Sequence, residues 1–164
     1  MSENKTRHIF AGGNTSKGFF SYFNYILDLK EAEKFYILKG GPGTGKSTFM
    51  KYIGSEAIRK GYDVEYFHCA SDSHSLDGVL IPDLKVAMVD GTAPHAIEPI
   101  YPGVVEQIVN LGDFWDTSAL TEYKDRVFLG KKEVKFNFAR AYRYLRAAAD
   151  LCEDNKEINI KYAD

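Results

Sequence analysis

The chain has 164 residues, 45% of them hydrophobic and 27% charged, which suffices for one domain with a packed core and excludes a disordered segment. Its net charge of -2 supplies no positive excess to drive nucleic-acid or membrane binding, so neither is an expected partner. No apolar run reaches the ~18 residues of a membrane span, and the polar start MSENKTRH is not a signal peptide. Cys69 and Cys152 stand outside any metal-type spacing and read as reduced, mostly buried thiols of a cytoplasmic protein. The aromatic residues are expected to fill the core.

His8–Ala11 is a short apolar run before Gly12-Gly13-Asn14 and reads as a strand meeting a turn. Ser16 then caps an expected helix, because Phe19, Tyr22, Phe23, Ile26 and Leu27 recur at helical offsets. The turn before it, with Lys17, could hold an anion, but a helix-capping turn explains it as well. Phe35–Lys39 is a strand entering Gly40-Gly41-Pro42-Gly43, and Lys46–Lys60 is an amphipathic helix closed by Gly61. Tyr62–Cys69 is a third strand, Ala70–Gly78 a polar loop, and Val86–Val89 a fourth strand ending at Asp90.

Three of the five prolines fall in Gly91–Gly103, which reads as an ordered surface loop. Val104–Leu111 is expected to be a short helix. The remainder reads as helical, with Phe138, Tyr142, Leu145, Ala149 and Cys152 forming an apolar stripe; Ile158–Tyr162 is an ambiguous strand candidate. Strands alternating with helices predict an α/β fold with a mostly parallel sheet and flanking helices, followed by a helical C-terminal third. Four strands are fewer than a doubly wound sheet of this kind usually needs. The expectation is therefore a single nucleotide-binding domain over 1–164 that is incomplete, the first half of a longer protein.

Gly40-Gly41-Pro42-Gly43-Thr44-Gly45-Lys46-Ser47 matches G-x-x-x-x-G-K-[ST] at every fixed position, between an apolar strand and an amphipathic helix. Glycines let backbone N–H groups approach an anion without Cβ clashes. The start of the helix at Lys46 adds its free N–H groups and dipole. Lys46 is expected to contact the β and γ phosphates, Ser47 to ligate Mg²⁺, and Thr48 to add a bond near the α phosphate. The expected cofactor-binding set is Gly41, Pro42, Gly43, Thr44, Gly45, Lys46, Ser47 and Thr48, and the ligands are ATP and Mg²⁺. Asp90, at the end of an apolar strand, is the expected partner acid for Mg²⁺. Gly91 follows it, where many motor-type ATPases carry Glu, so fast hydrolysis is less favoured. Asp-Gly here looks more like small-molecule phosphotransferases. No N-K-x-D stretch points to GTP.

Two further loops should lie at strand ends, where open α/β sheets bind ligands. In the 70–78 loop, Asp72 or Asp77 could orient an acceptor hydroxyl or an attacking water. His68, Cys69, Asp72 and His74 could in principle hold a metal, although simple turn chemistry explains them better. In the 91–95 loop, His95 is a candidate for phosphate contact or proton transfer. Lys131, Lys132, Arg140, Arg143 and Arg146 could include a lid arginine, but a solvated helix face accounts for most of them.

Taken together, IFAGGNTSKGFFSYF, YILKGGPGTGKSTFM, HCASDSHSLDGVLIPDLKVAMVDGTAPH and IEPIYPGVVEQIVNLGDFWD resemble an uncharacterised bacterial family of P-loop ATP-binding proteins, or ATPases, throughout the chain. The resemblance implies two related P-loop-like halves, this chain matching the first, and no particular reaction. Three functions follow as expectations: an ATPase or phosphotransferase with Lys46, Asp90 and His95 as catalytic candidates; a small-molecule kinase holding its acceptor in the 70–78 and 91–95 loops; or a non-catalytic nucleotide-sensing module that recruits a protein partner.

Overall fold

The computed structural model describes residues 5–93 and 96–162, and among these the fold is α/β. Eight strands form: β1 (Thr6–Ile9), β2 (Gly12–Thr15), β3 (Gly18–Ser21), β4 (Lys34–Lys39), β5 (Val64–His68), β6 (Leu76–Ile81), β7 (Val86–Asp90) and β8 (Glu106–Asn110). Three α-helices accompany them: α1 (Lys46–Arg59), α2 (Thr117–Glu122) and α3 (Lys124–Tyr162). The chain divides into two compact units, one of residues 1–13 and 21–115 and the other of residues 14–20 and 116–164.

The first unit holds a six-stranded sheet in the order β1-β5-β6-β7-β4-β8. The pairs β1·β5, β7·β4 and β4·β8 are parallel, whereas β6 runs antiparallel to both of its neighbours. The expected parallel sheet is thus confirmed except at β6. The expected shortage of strands is not: β6 and β8 supply what the hydrophobic pattern alone did not show.

Each miss has a physical reason. Every residue of β6 is buried, so the strand lacks the polar–apolar alternation that marks a half-exposed one. Only residues 70–75 of the expected 70–78 loop lie outside it. Residues 106–110 form strand rather than helix because β4 offers a free edge and Phe35–Lys39 pair with Glu106–Asn110 along their whole length. Glu106, 3% exposed, fixes the entry to that strand: its Oε2 accepts from the N–H groups of Ile100 and Tyr101 at 2.7 and 2.6 Å. A carboxylate buried among apolar neighbours needs such donors, and here they are the backbone of the proline-rich loop.

Residues 16–27 do not form the expected helix. β2 and β3 pair as a two-stranded sheet, and Gly18 adopts a left-handed φ of 112°. Thr15 closes the turn, donating from Oγ1 to the Gly18 carbonyl at 2.7 Å. Aromatic residues at helical offsets do not outweigh a turn that a single glycine makes accessible. Only a short 3₁₀ turn, Phe23–Tyr25, remains helical in this region.

Two apolar clusters sandwich the main sheet. One, beneath α1, contains Leu38, Met50, Ala57, Val64, Tyr66, Val79, Ile81 and Met88. The other contains Phe23, Phe35, Ile37, Phe67, Leu80, Ala87 and Val89 on the opposite face. Residues one apart on a strand fall in different clusters, as strand geometry requires. The buried aromatics among the described residues are Phe23, Phe35, Tyr66 and Phe67, whereas Phe114, Tyr25 and Tyr162 are exposed, so the aromatic content does not chiefly fill the core.

Helix α1 lies close to the sheet because Gly54 faces Tyr66. A Cβ at position 54 would overlap the Tyr66 ring and its hydroxyl. Alanine gains about 1 kcal/mol of helix propensity over glycine, but inserting a carbon against an enclosed ring costs about 1–3 kcal/mol. The packing cost wins here, since Tyr66 is itself buried and stacked on His8 with centroids 5.3 Å apart. Gly54→Ala is therefore expected to lower the melting temperature by several degrees in a circular-dichroism melt; an unchanged or raised value would contradict this packing.

In the second unit α3 runs for 39 residues, and Ile158–Tyr162 belong to it rather than to a strand. Tyr142 and Ala149 are half-buried members of the expected stripe, whereas Cys152 is exposed, contrary to its expected burial. Tyr142 donates to Asn14 Oδ1 at 2.7 Å. Lys131, Lys132, Arg140, Arg143 and Arg146 are all exposed. No helix among the described residues is long and apolar enough to cross a membrane.

Candidate functional site

The glycine-rich segment leaves β4 at Lys39 and enters α1 at Lys46. Gly43 and Gly45 have φ of 81° and 85°, a region that L side chains rarely adopt, and a Cβ at either would meet no neighbour. Backbone conformation, not space, therefore selects glycine at both. At Gly41 the reason is close approach: a Cβ there would lie 2.7 Å from Cζ2 of Trp115. Thr44 closes the loop, its Oγ1 donating to the Gly41 carbonyl at 2.9 Å.

Gly45 is the residue before α1 and offers no side-chain cap, and the first turn carries no acid. The leading N–H groups of the helix, with their positive dipole end, are thus turned toward the loop without a side-chain acceptor. Lys46 is 8% exposed. Its Nζ donates to the carbonyls of Gly40 and Gly41 at 2.6 and 2.9 Å and lies 3.6 Å from Asp90 Oδ2. The hydroxyl of Ser47 accepts from the backbone N–H of Leu76 at 2.9 Å, which ties the helix start to the first residue of β6.

Asp90 closes β7, directly beside β4. Its Oδ1 accepts from Thr92 N and Thr92 Oγ1 at 2.9 and 2.5 Å, so the carboxylate is aimed by its own turn. The next position has no room for a side chain: a Cβ on Gly91 would overlap Cγ2 of the fully buried Ile37. The loop beyond is held by Lys39, whose Nζ donates to the carbonyls of Gly91 and Ile97 and to Glu98 at 3.0, 2.8 and 2.6 Å.

Pro42–Thr48 and Asp90 border one cavity of about 560 Å³, together with Lys51, Cys69, Asp72, His74, Ser75, Leu76 and Asp77. The structure thus unites seven of the eight expected cradle residues with Asp90, while Gly41 sits against Trp115. His95 and Pro94 lie outside the described residues, so the proposed role of His95 is not addressed by the geometry.

The 70–75 loop forms the far wall. Asp72 is exposed and accepts from Ser75 Oγ and His74 N at 2.5 and 3.1 Å; the Ser75 hydroxyl, then the His74 N–H, hold its pKa below the usual carboxylate range. Lys51 reaches from α1 to the His74 carbonyl. His68 points elsewhere: its Nδ1 lies 2.6 Å from the Ser73 carbonyl and its Nε2 2.8 Å from His8 Nδ1. A carbonyl only accepts, so His68 Nδ1 carries a proton and donates it to Ser73. His68 thus braces the loop. Among the described residues no group of three or more His, Cys, Asp or Glu side chains could hold a metal ion, and the 68–74 cluster is not one. The Cys69 thiol has its pKa pushed up, first by burial; N–H groups of Ser71 and Asp72 pull it down, and the neighbouring Asp77 carboxylate raises it again.

Sequence reasoning did not find the His8–His68 pair, the Glu106 staple or Trp115 on Gly41. All three join residues distant in sequence and carry no spacing signal. Fold and site together define an α/β domain with a cavity at the carboxyl ends of β4 and β7 that both lysines and aspartates border. Compared with known proteins, the chain matches no family model, no curated protein and no solved structure.

Proposed function

We propose that this chain is a P-loop-type domain that binds ATP with Mg²⁺ and transfers the terminal phosphoryl group. The observation that carries the reading is the buried Lys46 ammonium, set among the uncapped N–H groups of α1 and bordering one cavity with Ser47 and Asp90. Its present partners are two neutral carbonyls and a carboxylate at 3.6 Å, too long for a strong hydrogen bond. A polyanion entering the cavity would give this cation and the amides matching acceptors.

The residues also suit a divalent cation. Ser47 Oγ uses one lone pair on Leu76 N and keeps another, and Asp90 uses Oδ1 on Thr92 while Oδ2 faces the cavity side near Lys46. One hydroxyl and one carboxylate, completed by water and phosphate oxygens, is the donor set Mg²⁺ prefers. Mg²⁺ held there would neutralise charge on the transferring group. Lys46 and the loop amides would orient the phosphates, so that catalysis is chiefly positioning and charge stabilisation.

A small-molecule kinase is the second reading. It is favoured by the extent of the cavity beyond the cradle, toward Cys69, Asp72 and His74, which leaves space for an acceptor.

Calorimetric titration with ATP and Mg²⁺, with AMP as the control, tests the nucleotide reading. Saturable binding of ATP and none of AMP is expected, and absence of ATP binding would sink it. Measuring ADP and orthophosphate in the same samples separates the acceptors. Equal amounts mark water, and ADP without orthophosphate on adding a metabolite panel marks a kinase.

A further inference from the structure

We infer that Trp115 is a positioning residue of the nucleotide site, one that acts through Gly41 on the Lys46 ammonium; the inference rests on the ATP reading above. β8 runs parallel beside β4, and their last residues, Asn110 and Lys39, are paired. The two strands therefore release their following segments side by side, the glycine-rich loop from one and a 3₁₀ turn, Leu111–Phe114, from the other. Asn110 shapes that turn: its Oδ1 accepts from the Gly112 N–H at 3.0 Å and its Nδ2 donates to Asp113 Oδ1 at 2.6 Å. The Trp115 N–H then donates to the Gly112 carbonyl at 3.1 Å, which anchors the backbone of the tryptophan.

The indole meets the loop at Gly41. A Cβ there would lie 2.7 Å from Cζ2 and 3.0 Å from Cη2 of Trp115, so the six-membered ring lies against the glycine. Every atom that such a Cβ would meet within 4 Å belongs to Trp115. Gly40, Gly43 and Gly45 take positive φ, whereas Gly41 does not. Backbone conformation thus permits a side chain at position 41, and the indole alone forbids it.

Gly41 in turn holds the lysine. Its carbonyl accepts from Lys46 Nζ and Thr44 Oγ1, both at 2.9 Å, and from Thr44 N at 3.4 Å. The direction of this one peptide group therefore sets where the buried ammonium rests and how the loop closes. Pro42–Thr48 border the cavity, whereas Gly41 and Trp115 do not. Trp115 thus touches the loop from outside the cavity and reaches a ligand only through it. It belongs to neither apolar cluster and is 42% exposed, so its loss leaves the core intact.

A loop held in its binding geometry before the ligand arrives is spared the cost of ordering on binding. Without the indole, consecutive glycines at 40 and 41 regain the wide backbone freedom of that residue. The Lys46 ammonium then loses a fixed acceptor, and the cradle has to be ordered by the nucleotide itself.

The test uses the whole chain with Trp115→Ala, Trp115→Phe, Gly41→Ala and the double variant Gly41→Ala/Trp115→Ala. ATP affinity with Mg²⁺ is measured by calorimetry, stability by thermal melting, and the contact by the emission of Trp115, the sole tryptophan. Trp115→Ala is expected to bind ATP about tenfold more weakly, as loss of preorganisation does, at a retained melting temperature. Trp115→Phe should recover part of that loss. Gly41→Ala should also weaken binding and shift the Trp115 emission to the red, because its methyl group displaces the indole. The double variant should bind no more weakly than Trp115→Ala alone, since the methyl group then meets nothing. Wild-type affinity in Trp115→Ala overturns the role of Trp115 and leaves ATP binding standing. Losses that add in the double variant overturn the route through Gly41. A melting temperature that falls together with affinity in both Trp115 variants makes the residue structural and overturns its positioning role. A wild-type chain that binds no ATP overturns both readings.

Discussion

Lys46→Ala is expected to reduce ATP affinity by two or more orders of magnitude, so that a calorimetric titration that saturates the wild type shows no measurable heat. The side chain is nearly enclosed, and its ammonium sits where the loop carbonyls of Gly40 and Gly41 and the Asp90 carboxylate converge. Removing it deletes the positive charge from the cradle and leaves the negative charge of Asp90 unopposed beside it. A hydrogen bond to a charged group is worth about 1.5–3 kcal/mol, and loss of one such bond corresponds to about 10- to 150-fold in affinity. Unopposed repulsion from Asp90 adds to that loss. The backbone of the loop is set by Gly43, Gly45 and the Thr44–Gly41 bond, none of which needs the lysine. The variant should accordingly keep most of its thermal stability. Unchanged ATP affinity would remove the basis for the nucleotide reading.

Gly91→Ala is expected to be the most damaging single-methyl change near the site. A Cβ at this position overlaps the Ile37 side chain and would lie 3.3 Å from the Ile97 carbonyl. Ile37 is fully buried and β-branched, so it has no flexible end to move aside. Overpacking of this kind costs about 1–3 kcal/mol, and for a chain of this size each kcal/mol shifts the melting temperature by about 2–4 °C. The strain also reaches function, because Gly91 donates its N–H to Leu38 O at 2.9 Å and its carbonyl accepts from Lys39. Moving it displaces Asp90, one residue away. A loss of thermal stability together with weaker Mg²⁺-dependent ATP binding is therefore expected. A Gly91→Ala protein that melts with the wild type would refute the steric account, and with it the explanation for the missing acid at this position.

These expectations rest on parts of the chain of unequal legibility. β4, α1, β5 and β7 were readable because each carries a local signature: apolar runs, a helical face closed by Gly61, and an acid at a strand end. The glycine-rich loop was readable for the same reason, since its requirements lie in consecutive residues. β6 was hidden because all six of its residues are buried and no period distinguishes it. β8 was hidden because a proline-rich approach and a mixed pattern favour no element until the edge of β4 supplies hydrogen bonds. The hairpin over β2 and β3 is hidden because its aromatic residues recur at helical offsets, whereas the left-handed φ available to Gly18 decides for a turn.

The sequence by itself determined the glycine-rich loop and where the helix begins, and it singled out Lys46, Ser47 and Asp90, which border one cavity. These are short-range matters of backbone conformation and residue type. Only the tertiary structure decided where Asp77 lies. Asp77 looked equivalent to Asp72 in a polar loop, and strand register separates them, placing one in a bulge on a buried strand facing the cavity and the other in an exposed turn. The closed position after Asp90 was likewise undecidable without Ile37, which lies 54 residues earlier in the chain and meets Gly91 only through the pairing of β4 with β7.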